Sequence, residues 1–200
     1  MRHGNTLSWE IRNSGPDRHL STLLYVRDAA GLAAPADYPL PPLAPAVPLR
    51  AELVAHATAA AAEEWSAWWE RAVTIDRWSQ QPDVSSVQSM DPPEPGTALR
   101  ALFDAVVDEA HDWHRKRFEE FRDRRLRRRD HGGTAGRTVE RIEQELGRTS
   151  APFRLQVAML PLDRKWGRRI EADLIVVSEE LWYDEDACDL FLDRILRALM

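Results

Sequence analysis

The sequence predicts an α+β, helix-rich fold. It would have two long helices packed together, a small antiparallel sheet from N- and C-terminal hairpins, and a C-terminal helix. Three observations predict it. Two stretches, 50–78 and 97–131, carry apolar residues at steps of three and four, the period of a one-sided helix. Apolar residues alternate near both ends of the chain, the period of a half-buried strand. From Asp184 onward the pattern returns to helical period.

At the N-terminus Leu7, Trp9 and Ile11 alternate with Ser8, Glu10 and Arg12, and Leu20, Thr22, Leu24 and Val26 share one face. Asn13-Ser14-Gly15-Pro16 between them is turn chemistry. This predicts a hairpin of 6–12 and 19–27. The alternative for 18–29 is a short helix, because Leu20, Leu23 and Leu24 also fit a helical step. Residues 33–49 then carry six prolines, Pro35 to Pro48, which impose extended backbone. They form either a semi-rigid linker or, the favoured reading, a strap across the surface.

In the 50–78 helix, Leu53, Ala57, Ala60, Ala61, Trp65, Trp68, Trp69 and Ala72 make the apolar stripe. Trp65, Trp68 and Trp69 share a face. They read first as a core anchor against the 97–131 helix, and second as candidate interface residues. Residues 79–96 have no periodicity and read as a long loop. The 97–131 helix has Thr97 as N-cap and Gly132-Gly133 beyond its end, with Leu99, Leu102, Phe103, Val106, Ala110, Trp113 and Phe121 on its apolar side. Thirty helical residues span about 45 Å, so the far end is expected to project.

A short helix follows over 138–146, with Thr138 and Arg141 outside, Val139, Ile142 and Leu146 inside, and Gly147 ending it. Phe153, Leu155, Val157 and Met159 alternate up to Pro161, and Ile170, Ala172, Leu174 and Val176 alternate after a loop over 162–168. Asp184-Glu185-Asp186 opens the last helix, whose stripe is Cys188, Phe191, Leu192, Ile195, Leu196 and Leu199. Both hairpins would share one sheet, with helices on one face. The 200 residues read as a single domain without internal repeats.

Composition bounds the function. One cysteine, Cys188, excludes an intrachain disulfide and a Cys-based zinc site. No apolar segment follows Met1–Asn5 and no run of 18 apolar residues exists, which predicts no signal peptide, no membrane partner and a cytoplasmic location. Only Lys116 and Lys165 among 27 basic residues are lysines, a bias typical of GC-rich bacterial genomes. The net charge of −6 argues against a general nucleic-acid coat, but its distribution is uneven. Nine basic residues (Arg115, Lys116, Arg117, Arg122, Arg124, Arg125, Arg127, Arg128, Arg129) face three acids over 115–129, a net of +6. Seven acids face two arginines over 178–200, a net of −5. The helix dipole favours a few cations near a helix C-terminus, at roughly 0.3–1 kcal/mol each, and does not account for nine.

The chemistry-bearing residues are sparse. Glu109, His111, Asp112 and His114 fall together on the long helix, with His111 and His114 on neighbouring positions of one side. His111-Asp112 resembles the adjacent His-Asp pair of the HD phosphohydrolase family. That resemblance implies a metal-dependent hydrolase, for which His56 is the available upstream histidine and no downstream aspartate is marked. Gly132-Gly133-Thr134-Ala135-Gly136-Arg137-Thr138 precedes a helix as a phosphate loop does. Its spacing is short, however, a helix precedes it, and Arg137 stands where the P-loop has lysine, so it reads as a helix–helix turn. No G-x-S-x-G is present, and Cys188 lies on an apolar stripe.

The leading expectation is a non-enzymatic protein that binds another protein or itself, without a cofactor. The alternatives are nucleic-acid binding through 115–129 and metal-dependent hydrolysis around His111, Asp112 and His114.

Overall fold

The computed structural model describes residues 9–34, 39–74, 92–127 and 133–200. Their elements, in order, are β1 (Trp9–Pro16), α1 (Arg18–Ala30), α2 (Ala51–Val54), α3 (Ala59–Val73), α4 (Ala98–Arg127), α5 (Gly133–Leu146), β2 (Phe153–Leu160), β3 (Gly167–Glu171), β4 (Leu174–Ser178), α6 (Glu179–Tyr183) and α7 (Glu185–Leu196). The α+β, helix-rich class holds. The sheet has four strands in the order β1-β2-β4-β3.

The N-terminal hairpin does not form. Residues 9–12 of the first predicted strand lie in β1, which runs on through the predicted turn to Pro16, and 6–8 lie outside the described residues; 19–27 lie in α1, the alternative reading. Two forces decide this. Asp17 caps the helix, its carboxylate accepting from the Leu20 N–H at 2.9 Å. The segment is also buried nearly all round, from Leu20 to Val26 and on to Ala30. A helix buried on every side carries no one-sided stripe, so its sequence fits either period.

The sheet is mixed rather than antiparallel. β1 pairs parallel with β2, and β2 parallel with β4; only β3 and β4 are antiparallel. The strand predicted over 170–176 breaks into β3 and β4, and β4 inserts between β2 and β3. Leu174-Ile175-Val176-Val177 explains the placement: an unbroken apolar run suits a central strand covered on both faces. Accordingly the helices lie on both faces, not one. Ala158, Leu160 and Val176 join the core shared with α1, α3 and α4. Leu155, Val157, Ile175 and Val177 join a second core with Val139 and Ile142 of α5 and Cys188, Leu192 and Leu196 of α7.

The predicted 50–78 helix is interrupted. α2 ends at Val54 and α3 restarts after Thr58, whose hydroxyl accepts from the Ala61 N–H. α4 begins where expected: the Thr97 hydroxyl accepts from the Arg100 N–H, and Glu64 of α3 reaches across to accept from the Leu99 N–H at 2.8 Å. Residues 128–131 of that helix, 75–78 of the previous one and 79–91 of the loop lie outside the described residues.

Of the proline-rich segment 33–49, residues 35–38 lie outside the described residues, and the part from 39 onward runs against the rest of the chain. Leu40 and Leu43 are buried, Leu43 forms a bridge to Leu162, and the buried Arg27 of α1 donates to the carbonyls of Leu40 and Pro41.

α5 starts earlier than predicted, at Gly133. Its Thr138 is buried rather than exposed, because the hydroxyl donates to Asp189 of α7, while Leu146 is exposed. The C-terminal helix stands as predicted, with Asp184 as its cap.

Candidate functional site

Every site residue predicted from sequence, the tryptophans apart, lies between 111 and 129, in α4 or just beyond its described end. The stripe that α4 turns inward changes character along its length. Leu99, Leu102, Val106 and Ala110 are buried against α1 and α3. Continuing the same stripe, the next inward positions are His114, Arg117, Phe121 and Arg124. These cross the carboxyl ends of the parallel strands. Phe121 lies over the end of β1, so close to Gly15 that an added Cβ would sit 2.6 Å from its ring, and Gly15 has φ +91°, a conformation that also favours glycine.

The polar half of the stripe is tied down by Glu179, the residue that follows β4. Its carboxylate is only 5% exposed and takes Arg124 at 2.9 Å and Arg117 at 3.6 Å. Arg117 also pairs with Glu120, and Arg124 lies over the ring of Tyr183. Burial pushes the Glu179 carboxyl up, and the two arginines pull it down without cancelling that effect. Its second oxygen, the Arg117 Nε and the His114 Nδ1 are buried without a hydrogen-bond partner among the described residues. Burial lowers His114 to about 4, so its ring is neutral at pH 7.

The rest of the helix surface faces outward. Arg115, Lys116 and Arg122 are exposed there with Leu126, 72% exposed, while Phe118, 40% exposed, stands at the border with its ring beside those of His114 and Phe121. Glu119, Glu120 and Asp123 are interspersed and exposed. Arg115 pairs with Asp112 at 2.9 Å. The side chains of Arg125 and Arg127, and all of Arg128 and Arg129, lie outside the described residues.

The acidic C-terminal segment is largely neutralised by other partners. Arg137 of α5 meets Glu185, and Arg141 meets Asp189 and Asp193 at 3.1 and 3.0 Å. Asp193 also takes Arg197, and Asp184 takes Lys165. Glu179 carries the segment's ion pairs to Arg117 and Arg124 of the basic block, and Tyr183 adds a ring contact to Arg124.

The tryptophans take the first of their two expected roles, the core anchor, rather than the second, and the histidine cluster is spread out. Trp65, Trp68 and Trp69 are 0%, 3% and 2% exposed. They are core residues and present no surface. Trp65 stacks on Trp69 and donates its indole N–H to the Leu23 carbonyl at 2.8 Å. His111, Asp112 and His114 do not converge on a metal: His114 is turned inward beside Phe118, Asp112 faces Arg115, and His111 lies 3.5 Å from a guanidinium nitrogen of Arg18. Among the described residues, no group of three histidine, cysteine or acidic side chains is placed to hold a metal ion.

The residues that sequence reasoning missed are Glu179 and Tyr183. The signal for Glu179 was present: a carboxylate two positions beyond the continuous apolar run 174–177 stands at a strand's carboxyl end, where open α/β sheets place their sites. The chain matches no family model, no curated protein and no solved structure.

Proposed function

We propose that the protein works by binding another protein through the outward face of α4's far half. The observation that carries this reading is the set Arg115, Lys116, Phe118, Arg122 and Leu126: exposed cations around two exposed apolar side chains, with the chain's own acidic segment paired elsewhere. Apolar anchors ringed by charge are the usual makeup of an interface, and arginine is enriched in such sites. An acidic partner surface complements it and speeds encounter. The single, buried cysteine suits a cytoplasmic setting for this activity.

A photo-crosslinking side chain at position 126 tests it. Crosslinks to one protein, weakened when Arg115 and Arg122 become Glu, support the reading; the same crosslinks from position 140, on α5, overturn it.

Nucleic acid is the second reading, favoured by Phe118 and Arg122 standing one helical turn apart, where a base stacks and a phosphate pairs. Glu119, Glu120 and Asp123 on the same surface weigh against a polyanion. Binding of random single strands that falls steeply with salt would favour this reading over the first.

A further inference from the structure

α4 is charged unevenly along its length. Residues 98–113 carry four acids against one arginine, and residues 114–127 carry seven basic residues against three acids. The helix dipole favours acids in the first turn and cations in the last. Asp108 and Asp112 stand in the middle of this 30-residue helix, and Lys116 and Arg122 lie before its last turn, so the dipole explains none of them.

The asymmetry reaches the surface. Steps of three and four put Ala101, Ala105, Asp108 and Asp112 on the outward side of the near half, and all four are exposed. The same line runs on through Arg115, Glu119, Arg122 and Leu126, also exposed. Among the described residues, Asp108, Lys116 and Arg122 have no ion-pair partner.

A wholly acidic partner would be repelled by the near half of this line, and a nucleic-acid strand likewise. A surface that changes sign along its own length answers both halves, and α4 itself is such a surface. Run antiparallel, two copies bring unlike halves together; run parallel, they bring like halves together. Two-fold symmetry then makes every contact twice. Seating Leu126 of one copy between Ala101 and Ala105 of the other, where only methyl groups stand, puts the axis near residues 114–115. The same register sets Arg122 against Asp108. It also lays the Asp112–Arg115 ion pair of one copy against that of the other, each acid beside the opposite arginine. Glu119 meets the same acids and holds the affinity down.

Resting on the reading of α4's outward face as a recognition surface, we propose that its occupant is a second copy of this chain. The two copies dock antiparallel along α4 about a two-fold axis.

Sedimentation equilibrium of the full chain tests this. At about 50 mM sodium chloride the mass should rise with concentration from 22.9 kDa toward twice that, with a Kd on the order of 10 μM. About 500 mM salt should weaken the dimer roughly tenfold, since its charges are exposed. Arg122→Glu and Asp108→Arg should each weaken it by a similar factor. The double variant should recover most of that loss, because the reversed charges meet again across the axis. Glu140→Arg, on the exposed side of α5, should dimerise as the parent does. A chain that stays monomeric at about 0.5 mM, or a double variant no tighter than the single ones, would overturn the proposal. If that monomer still crosslinks a different protein from position 126, the recognition surface stands and the second copy is removed as its occupant; if it crosslinks nothing, both fail.

Discussion

Burial acts on two side chains at the carboxyl end of the sheet, His114 and Glu179, and only the second has ion-pair partners to oppose it. His114 ionises only near 4 in the folded chain, against about 6.5 when unfolded. Acidification from 6.5 to 4 therefore protonates the unfolded state first, and stability falls across that window. His114→Phe should remove this acid-sensitive part, which is worth roughly 2–3 kcal/mol. Urea unfolding at pH 7 and at pH 4.5 measures it, and an unchanged difference between the two would contradict the burial argument. Glu179 is the opposite case: it is buried and disfavoured as an anion, yet it is the shared partner of Arg117 and Arg124. Glu179→Ala should cost about 2–4 kcal/mol, because it leaves the largely buried Arg117 without its interior counter-charge. Glu179→Gln should cost less, since the amide oxygen still accepts from Arg124.

Among the elements, α5 and α7 are linked by charge at their exposed edges but held by their apolar faces. Arg141 meets Glu145, Asp189 and Asp193, all of them more than a quarter exposed. Exposed pairs of this kind contribute about 0–1 kcal/mol each and fade in salt. Ile142 beneath them is fully buried in the second core. Arg141→Met is therefore expected to cost less than about 1 kcal/mol, and Ile142→Ala about 2–5 kcal/mol. Denaturant midpoints at low and high salt check both: only the first loss should shrink with salt. A larger loss for Arg141→Met than for Ile142→Ala would mean that the charge ladder holds the layer. The pairs still fix which acids remain available, and that is what leaves the outer cations of α4 facing solvent.

Across the whole molecule, the sequence revealed the elements better than their arrangement. α4 and α7 were legible because each has one period, recognisable caps and a single buried face, and β2 because Phe153, Leu155, Val157 and Met159 alternate up to Pro161. α1 was misplaced because it is buried on all sides, so that the spacing of Leu20, Leu23 and Leu24 could not choose between strand and helix. Strand order was hidden because Leu174–Val177 supports β4 wherever it sits, while its insertion between β2 and β3 depends on non-local pairing. The arginine block was visible in the sequence, but its division into an inward pair and an outward set was not. That division depends on Glu179, more than fifty residues further along the chain. The tryptophan cluster was equally visible, and only packing could show that it faces inward.

The central claim is that the outward face of α4 is a recognition surface. Site-specific crosslinking from position 126 in the intact chain tests it most directly. The account predicts one crosslinked protein partner from positions 126 and 118 alike, lost in the Arg115→Glu, Arg122→Glu double variant and absent from position 140. No product from positions 126 and 118, or one that forms equally from position 140, would contradict it.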